Sequence, residues 1–169
     1  MTRFAQKNPG RGDTPTPTRS PNRNPNKNGK PTRDGDNDNP PTMVTMDTRT
    51  AAQHFADTWQ HGWTHHDPTA IIALYSDDAT HTSMPFRPPH HGKHAIADYI
   101  RWSFTGESDP HVTFATPIVD GDQAAIEFRV HALDNGRPIT LAGCVFARFN
   151  PDGLAVQTRD YWHTTDGHQ

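Results

Sequence analysis

The chain has one cysteine, Cys144, among its 169 residues. That excludes an intramolecular disulfide and a zinc cluster built on cysteines. It has no apolar run of membrane-spanning length, and its first residues lack the charged-then-apolar layout of a secretory signal. The expectation is a soluble protein with a cytoplasmic location. Apolar side chains are almost missing from residues 1–46 beyond Phe4, Met43 and Val44, yet this stretch holds 8 of the 16 prolines. Such a segment cannot bury enough surface to offset the entropy of ordering, so a disordered tail rich in Pro, Asn and Thr is expected over 1–46.

Charge divides at the same point. The tail carries 8 Lys and Arg against 4 Asp, about +4, and the remainder is about −7, with all 12 histidines. A basic tail invites a nucleic-acid reading. Proline dilutes the charge, however, and the aromatics that stack bases are missing, so neither a nucleic-acid nor a membrane partner is expected. A start at Met43 or Met46 is an alternative to Met1, since periodic sequence begins just after. About 120 residues remain, enough for one self-sufficient core. The expected division is a domain over 47–165 and a disordered end over 166–169.

Within that domain Ala52, Phe55, Ala56, Trp59 and Trp63 recur at helical spacing and predict a helix from about Thr50 to His65. Asp67-Pro68 reads as an N-cap followed by proline at the first helical position, opening a short helix through Ile71, Ile72, Leu74 and Tyr75. A brief strand over Ala79–Ser83, a proline-rich loop and a third helix anchored by Ile96, Tyr99, Ile100 and Phe104 follow. From His111 the period changes to alternation. Strands over 111–119, 123–133, 139–149 and 154–163 are separated by the turn sequences DGD, DNGRP and NPDG. Three helices followed by an antiparallel meander is an α+β arrangement, with one sheet face covered by the helices. Apolar surface left on the other face favours a homodimer.

The last strand holds an oddity. Thr158, Asp160 and Trp162 share a face with Leu154 and Val156, so a carboxylate stands in an apolar row. Burial without a partner that raised its pKa by three units would cost about 4 kcal/mol, a large part of a typical stability of about 5–15 kcal/mol. Asp160 is therefore paired, or meets water in a cavity, or is a strand-end residue tying down a loop amide or an arginine. Glu127, Arg129 and His131 share one face of their strand and read either as a solvated face, with Ile126, Phe128 and Val130 as core, or as functional groups. Histidines 90, 91 and 94 sit in a loop leading to a helix, with no carboxylate at ligand spacing, so no metal site is expected. Trp59, Trp63 and Trp102 read as core or as walls of an apolar pocket.

Three stretches, LYSDDATHTS, HGKHAIADYI and GRPITLAGCVFARFNPDGLAVQTRDYW, resemble the SnoaL-like branch of the nuclear transport factor 2-like superfamily, across residues 50–163. That superfamily includes ketosteroid isomerases, polyketide cyclases, limonene-epoxide hydrolases and members with no known activity, so the resemblance speaks to fold more than to reaction. It implies a cone of helices closing over a curved, mainly antiparallel sheet around an apolar pocket for a small molecule, with no cofactor. It also places Glu127, Arg129, His131, Thr158, Asp160 and Trp162 toward the pocket, together with His81 and Ser83. The positions matching the isomerase's proton-shuttling groups fall on Trp59, Ser83 and Val145, which excludes steroid isomerisation. The epoxide hydrolase's water-activating aspartate corresponds to Asp160. Its arginine–aspartate pair falls near Gly143 and Val145 and is missing. The expectation is cofactor-independent acid–base chemistry (cyclase, isomerase or hydrolase type) with Asp160 as base, Arg129 orienting it, and Glu127 or His81 passing the proton. Trp59, Trp63, Ser83, His131, Val145, Thr158 and Trp162 would contact the ligand. The alternative is a non-catalytic binding or dimerisation module of the same fold.

Overall fold

The structure, a computed structural model, describes residues 45–169. Apart from its last two residues, the expected tail lies outside the described residues, and so does Met43. Met46 donates its backbone N–H to the carbonyl of Pro151 at 2.9 Å, which anchors the start of the described chain to a turn of the sheet.

Helix α1 spans Thr48–Thr64, and the side chain of its N-cap Asp47 accepts from the Thr50 amide at 3.0 Å. It buries Ala51, Ala52, Phe55 and Ala56. Helix α2 (Pro68–Ala73) starts as its sequence requires, with the Asp67 carboxylate accepting from the amides of Thr69 and Ala70 at 3.0 and 3.2 Å. It ends earlier than the apolar spacing suggests, because Tyr75 already belongs to strand β1 (Tyr75–Thr82). The two-residue strand β2 (His90–His91) pairs with β1 and leads into helix α3 (Gly92–Ser103), which buries Ile96, Ala97 and Ile100.

The remaining strands are β3 (Glu107–Phe114), β4 (Ile118–Asp120), β5 (Gln123–Asp134), β6 (Arg137–Phe149) and β7 (Ala155–Asp166). Asn135 and Gly136, both at positive φ, join β5 to β6 in a two-residue loop, the geometry that an Asn-Gly hairpin supplies. Together the strands form one mainly antiparallel sheet in the order β2-β1-β7-β6-β5-β3, with β4 on β5. A few helices pack on this curved sheet, and the chain has the expected α+β class. β1 departs from a simple meander: it lies parallel to β7, with His81 opposite Thr158. The sequence contains no local signal for that pairing, which joins segments far apart in the chain.

Register decides which side chains face the helices. Opposed residues share a face, so Asp160, Val145 and Ile126 form one inward row, and Trp162, Gly143, Phe128 and Phe114 form the next. Intervening residues such as Tyr161, Cys144 and Glu127 face outward. Within 166–169, expected as a disordered end, Asp166 closes β7 and Gln169 donates its amide to Thr140 Oγ1 at 2.9 Å on that outer face. No described helix is long and apolar enough to cross a membrane.

Candidate functional site

The parallel pairing of β1 and β7 brings two titratable groups together. His81 is 1% exposed, and its Nδ1 lies 2.8 Å from the Thr158 hydroxyl. Its Nε2 is buried without a hydrogen-bond partner among the described residues and lies 3.7 Å from Oδ2 of Asp160. Burial, reinforced by nearby His90, holds the imidazole down at about 3, so the ring is neutral. Burial also pushes the Asp160 carboxyl up to about 7. No Lys or Arg pairs with Asp160 among the described residues, and its carboxylate lines a cavity with its side chain 18% exposed.

The helices supply the walls. The apolar stripe of α1 contributes Phe55, Trp59 and Trp63, with the two indoles edge to face at 5.9 Å. Trp63 is fixed from behind, donating Nε1–H to Oε1 of Glu107 at 2.8 Å, an oxygen that His66 Nε2 also approaches at 3.2 Å. Burial raises the Glu107 pKa against the lowering effect of those contacts. From α3, Tyr99 reaches the cavity while its hydroxyl donates to Ser83 Oγ at 2.6 Å. Trp162 lies against the same segment, its Nε1 donating to the Ser83 carbonyl at 3.2 Å. Burial first, then the nearby Asp160 charge, raises the pKa of both Tyr75 and Tyr99. The cavity so enclosed is narrow, about 40 Å³, and among the described residues Asp160 is the only carboxylate on an otherwise mainly aromatic wall.

Several expected site residues meet here and others do not. Asp160, Trp59, Trp63, Val145 and Trp162 line the cavity. His81, Thr158 and Ser83 stand behind it, Thr158 holding His81 and Ser83 holding Tyr99. Glu127, Arg129 and His131 do not join them. They lie on the outward face of β5, because Ile126 shares the row of Asp160 while Glu127 opposes Cys144. Arg129 and His131 instead donate to, or approach, the Gln169 backbone oxygen at 3.2 and 2.9 Å. Ile126, Phe128 and Val130 are core, and Arg129, on the opposite face, is not placed to orient Asp160. Sequence reasoning missed Tyr75, Tyr99, Phe114 and Phe128 as walls. Phe128 was legible, since its alternation with Ile126 and Val130 marks the inward face. Tyr99 was legible only as a helix anchor. Among the described residues no group of three His, Cys, Asp or Glu is placed to hold a metal ion.

A family model described as a SnoaL-like domain matches residues 52–158, more than half of the chain. Among solved structures, a Mycobacterium tuberculosis protein is similar at 20% identity and a TM-score of 0.61, over 72% of this chain and 100% of that one. A hypothetical protein with a ketosteroid isomerase-like fold from Catenulispora acidiphila, described in complex with trimethylamine, is similar at 20% identity and a TM-score of 0.57. That match covers 63% of this chain and 83% of the Catenulispora chain.

Proposed function

The chain belongs to the SnoaL-like domain family, whose fold serves small-molecule binding, and from that premise we propose that it is a cofactor-independent acid–base enzyme acting on a small, mainly apolar molecule. The observation that carries this reading is the pairing of Asp160 with His81 at the aromatic cavity: a carboxylate raised to about 7 beside a neutral imidazole whose Nε2 has no hydrogen-bond partner among the described residues. A base is most effective when its pKa lies near the working pH. Asp160 takes a proton from a carbon acid or a water. In the tautomer in which the Thr158 hydroxyl donates to Nδ1, His81 carries its proton on Nε2 and offers it to the developing negative charge. Glu127 and Arg129 have no part, because they lie on the other face of the sheet. Cyclisation, isomerisation and water addition all use this proton transfer.

The test is deuterium exchange. Small ketones and epoxides are incubated with the full chain in D2O and followed by NMR. Exchange α to a carbonyl, or ring opening, is expected with a pH midpoint near 7. It should be lost in Asp160→Asn and retained in Glu127→Ala and Arg129→Ala. Equal turnover by Asp160→Asn would remove Asp160 from the chemistry.

The narrowness of the cavity favours a second reading, a module that binds a small ligand without turning it over. The trimethylamine named for the Catenulispora protein is of that scale. Either function is compatible with a homodimer. Phe146 and Tyr161 meet edge to face at 5.7 Å on the outward face and are 40% and 45% exposed, an apolar patch that a second copy would cover. Light scattering should give twice the chain mass, and Phe146→Glu should return it to one.

A further inference from the structure

We propose that the ligand of the aromatic cavity is a small alkylammonium ion, held by the faces of the surrounding rings and by the carboxylate of Asp160. The inference rests on the reading that this cavity is the ligand site, and it names the class of molecule that enters.

The cavity's polarity points one way. Trp59, Trp63, Tyr99, Phe128 and Trp162 present aromatic surface to it, and ring faces carry negative quadrupole charge that attracts a cation and repels an anion. Among the described residues Asp160 adds the only formal charge on the wall, also negative when ionised. No Lys or Arg among the described residues neutralises it. His81 is held neutral by burial, with His90 stacked beyond it at 6.0 Å. The guanidinium of Arg87 lies 6.0 Å over the Trp162 ring and makes no ion pair with Asp160 among the described residues. The other titratable groups around the carboxylate are the hydroxyls of Tyr75 and Tyr99 and the thiol of Cys144, all held protonated by burial. Helix α1 contributes no titratable group to the wall.

A buried carboxylate is costly unless it is protonated or paired. A neutral molecule supplies no charge to offset that of the ionised carboxylate, and an anion would be repelled. A protonated amine with alkyl substituents supplies the missing charge to Asp160 and apolar CH groups to the rings. Size agrees: about 40 Å³ is room for roughly three water-sized groups, which bonded atoms fill more densely, so a head group of four or five heavy atoms fits.

The experiment compares tetramethylammonium with tert-butanol, a neutral molecule of similar shape, by NMR titration of the full chain. Tetramethylammonium carries a fixed charge, so any pH dependence belongs to the protein. It should bind at pH 8 at least about tenfold more tightly than tert-butanol and lose at least about tenfold in affinity between pH 8 and pH 5, as Asp160 takes up its proton. Asp160→Asn should flatten that dependence. Equal affinity for the two probes, pH-independent binding of tetramethylammonium, or no binding at all would overturn the proposal on the wild-type chain alone, whatever the variant does. Deuterium exchange of neutral carbonyl compounds without ammonium binding would remove the ligand class and keep the enzyme. Ammonium binding without exchange would do the reverse.

Discussion

His81 Nε2 and Asp160 Oδ2 lie 3.7 Å apart on neighbouring parallel strands, too far for a hydrogen bond. Both are shifted toward their neutral forms by burial. The pair therefore holds no settled ion pair, and its protonation is open to whatever enters the cavity.

Asp160 makes the protein less stable as pH rises. Its folded pKa of about 7 exceeds the ordinary value, so the folded state holds its proton longer than the unfolded state. Stability is undiminished by this group below about pH 4 and falls as pH climbs to about 7, by at most about 4 kcal/mol. Asp160→Asn should thus melt several degrees higher than the wild type at pH 8, with the two converging at pH 4. Parallel melting curves across that range would contradict the burial of an unpaired carboxylate.

His81 has the opposite sign. With a folded pKa of about 3, its contribution is complete above about pH 6.5 and is lost as pH falls toward 3. The ring should show one protonated nitrogen, without a titration midpoint, from pH 8 to pH 5 by nitrogen-15 NMR. A midpoint near 6.5 would place the imidazole in solvent.

Gly143→Ala should cost about 1–3 kcal/mol in urea unfolding and change Trp162 fluorescence. A Cβ at 143 would stand 2.6 Å from the Trp162 Cβ and closer still to the Tyr161 carbonyl oxygen, so β7 would have to move. Unchanged stability would mean that the sheet yields more easily than its register implies.

Glu107→Ala should cost about 1–3 kcal/mol by leaving the Trp63 N–H without its acceptor, and should loosen the indole that walls the cavity. Glu107→Gln keeps an acceptor oxygen and should recover most of the loss. If both variants behave alike, the contact to Trp63 contributes little.

The sequence by itself determined the elements and one decisive face. The stripe of α1, the cap at Asp67, the Asn-Gly hairpin and the inward row Thr158–Asp160–Trp162 all follow from interactions within a few residues, where spacing and backbone preference are sufficient. On β5 the residues were equally legible, since Ile126, Phe128 and Val130 alternate with polar neighbours. The resemblance to a known family pointed to the opposite face, and a shift of one residue reverses every side chain. Only the tertiary structure decided that β1 runs parallel beside β7. That placement makes His81 the neighbour of Asp160, leaves Arg129 on the far side of the sheet, and encloses the carboxylate among aromatic rings. Strand pairing between distant segments depends on how the whole core closes, and no local pattern carries that information.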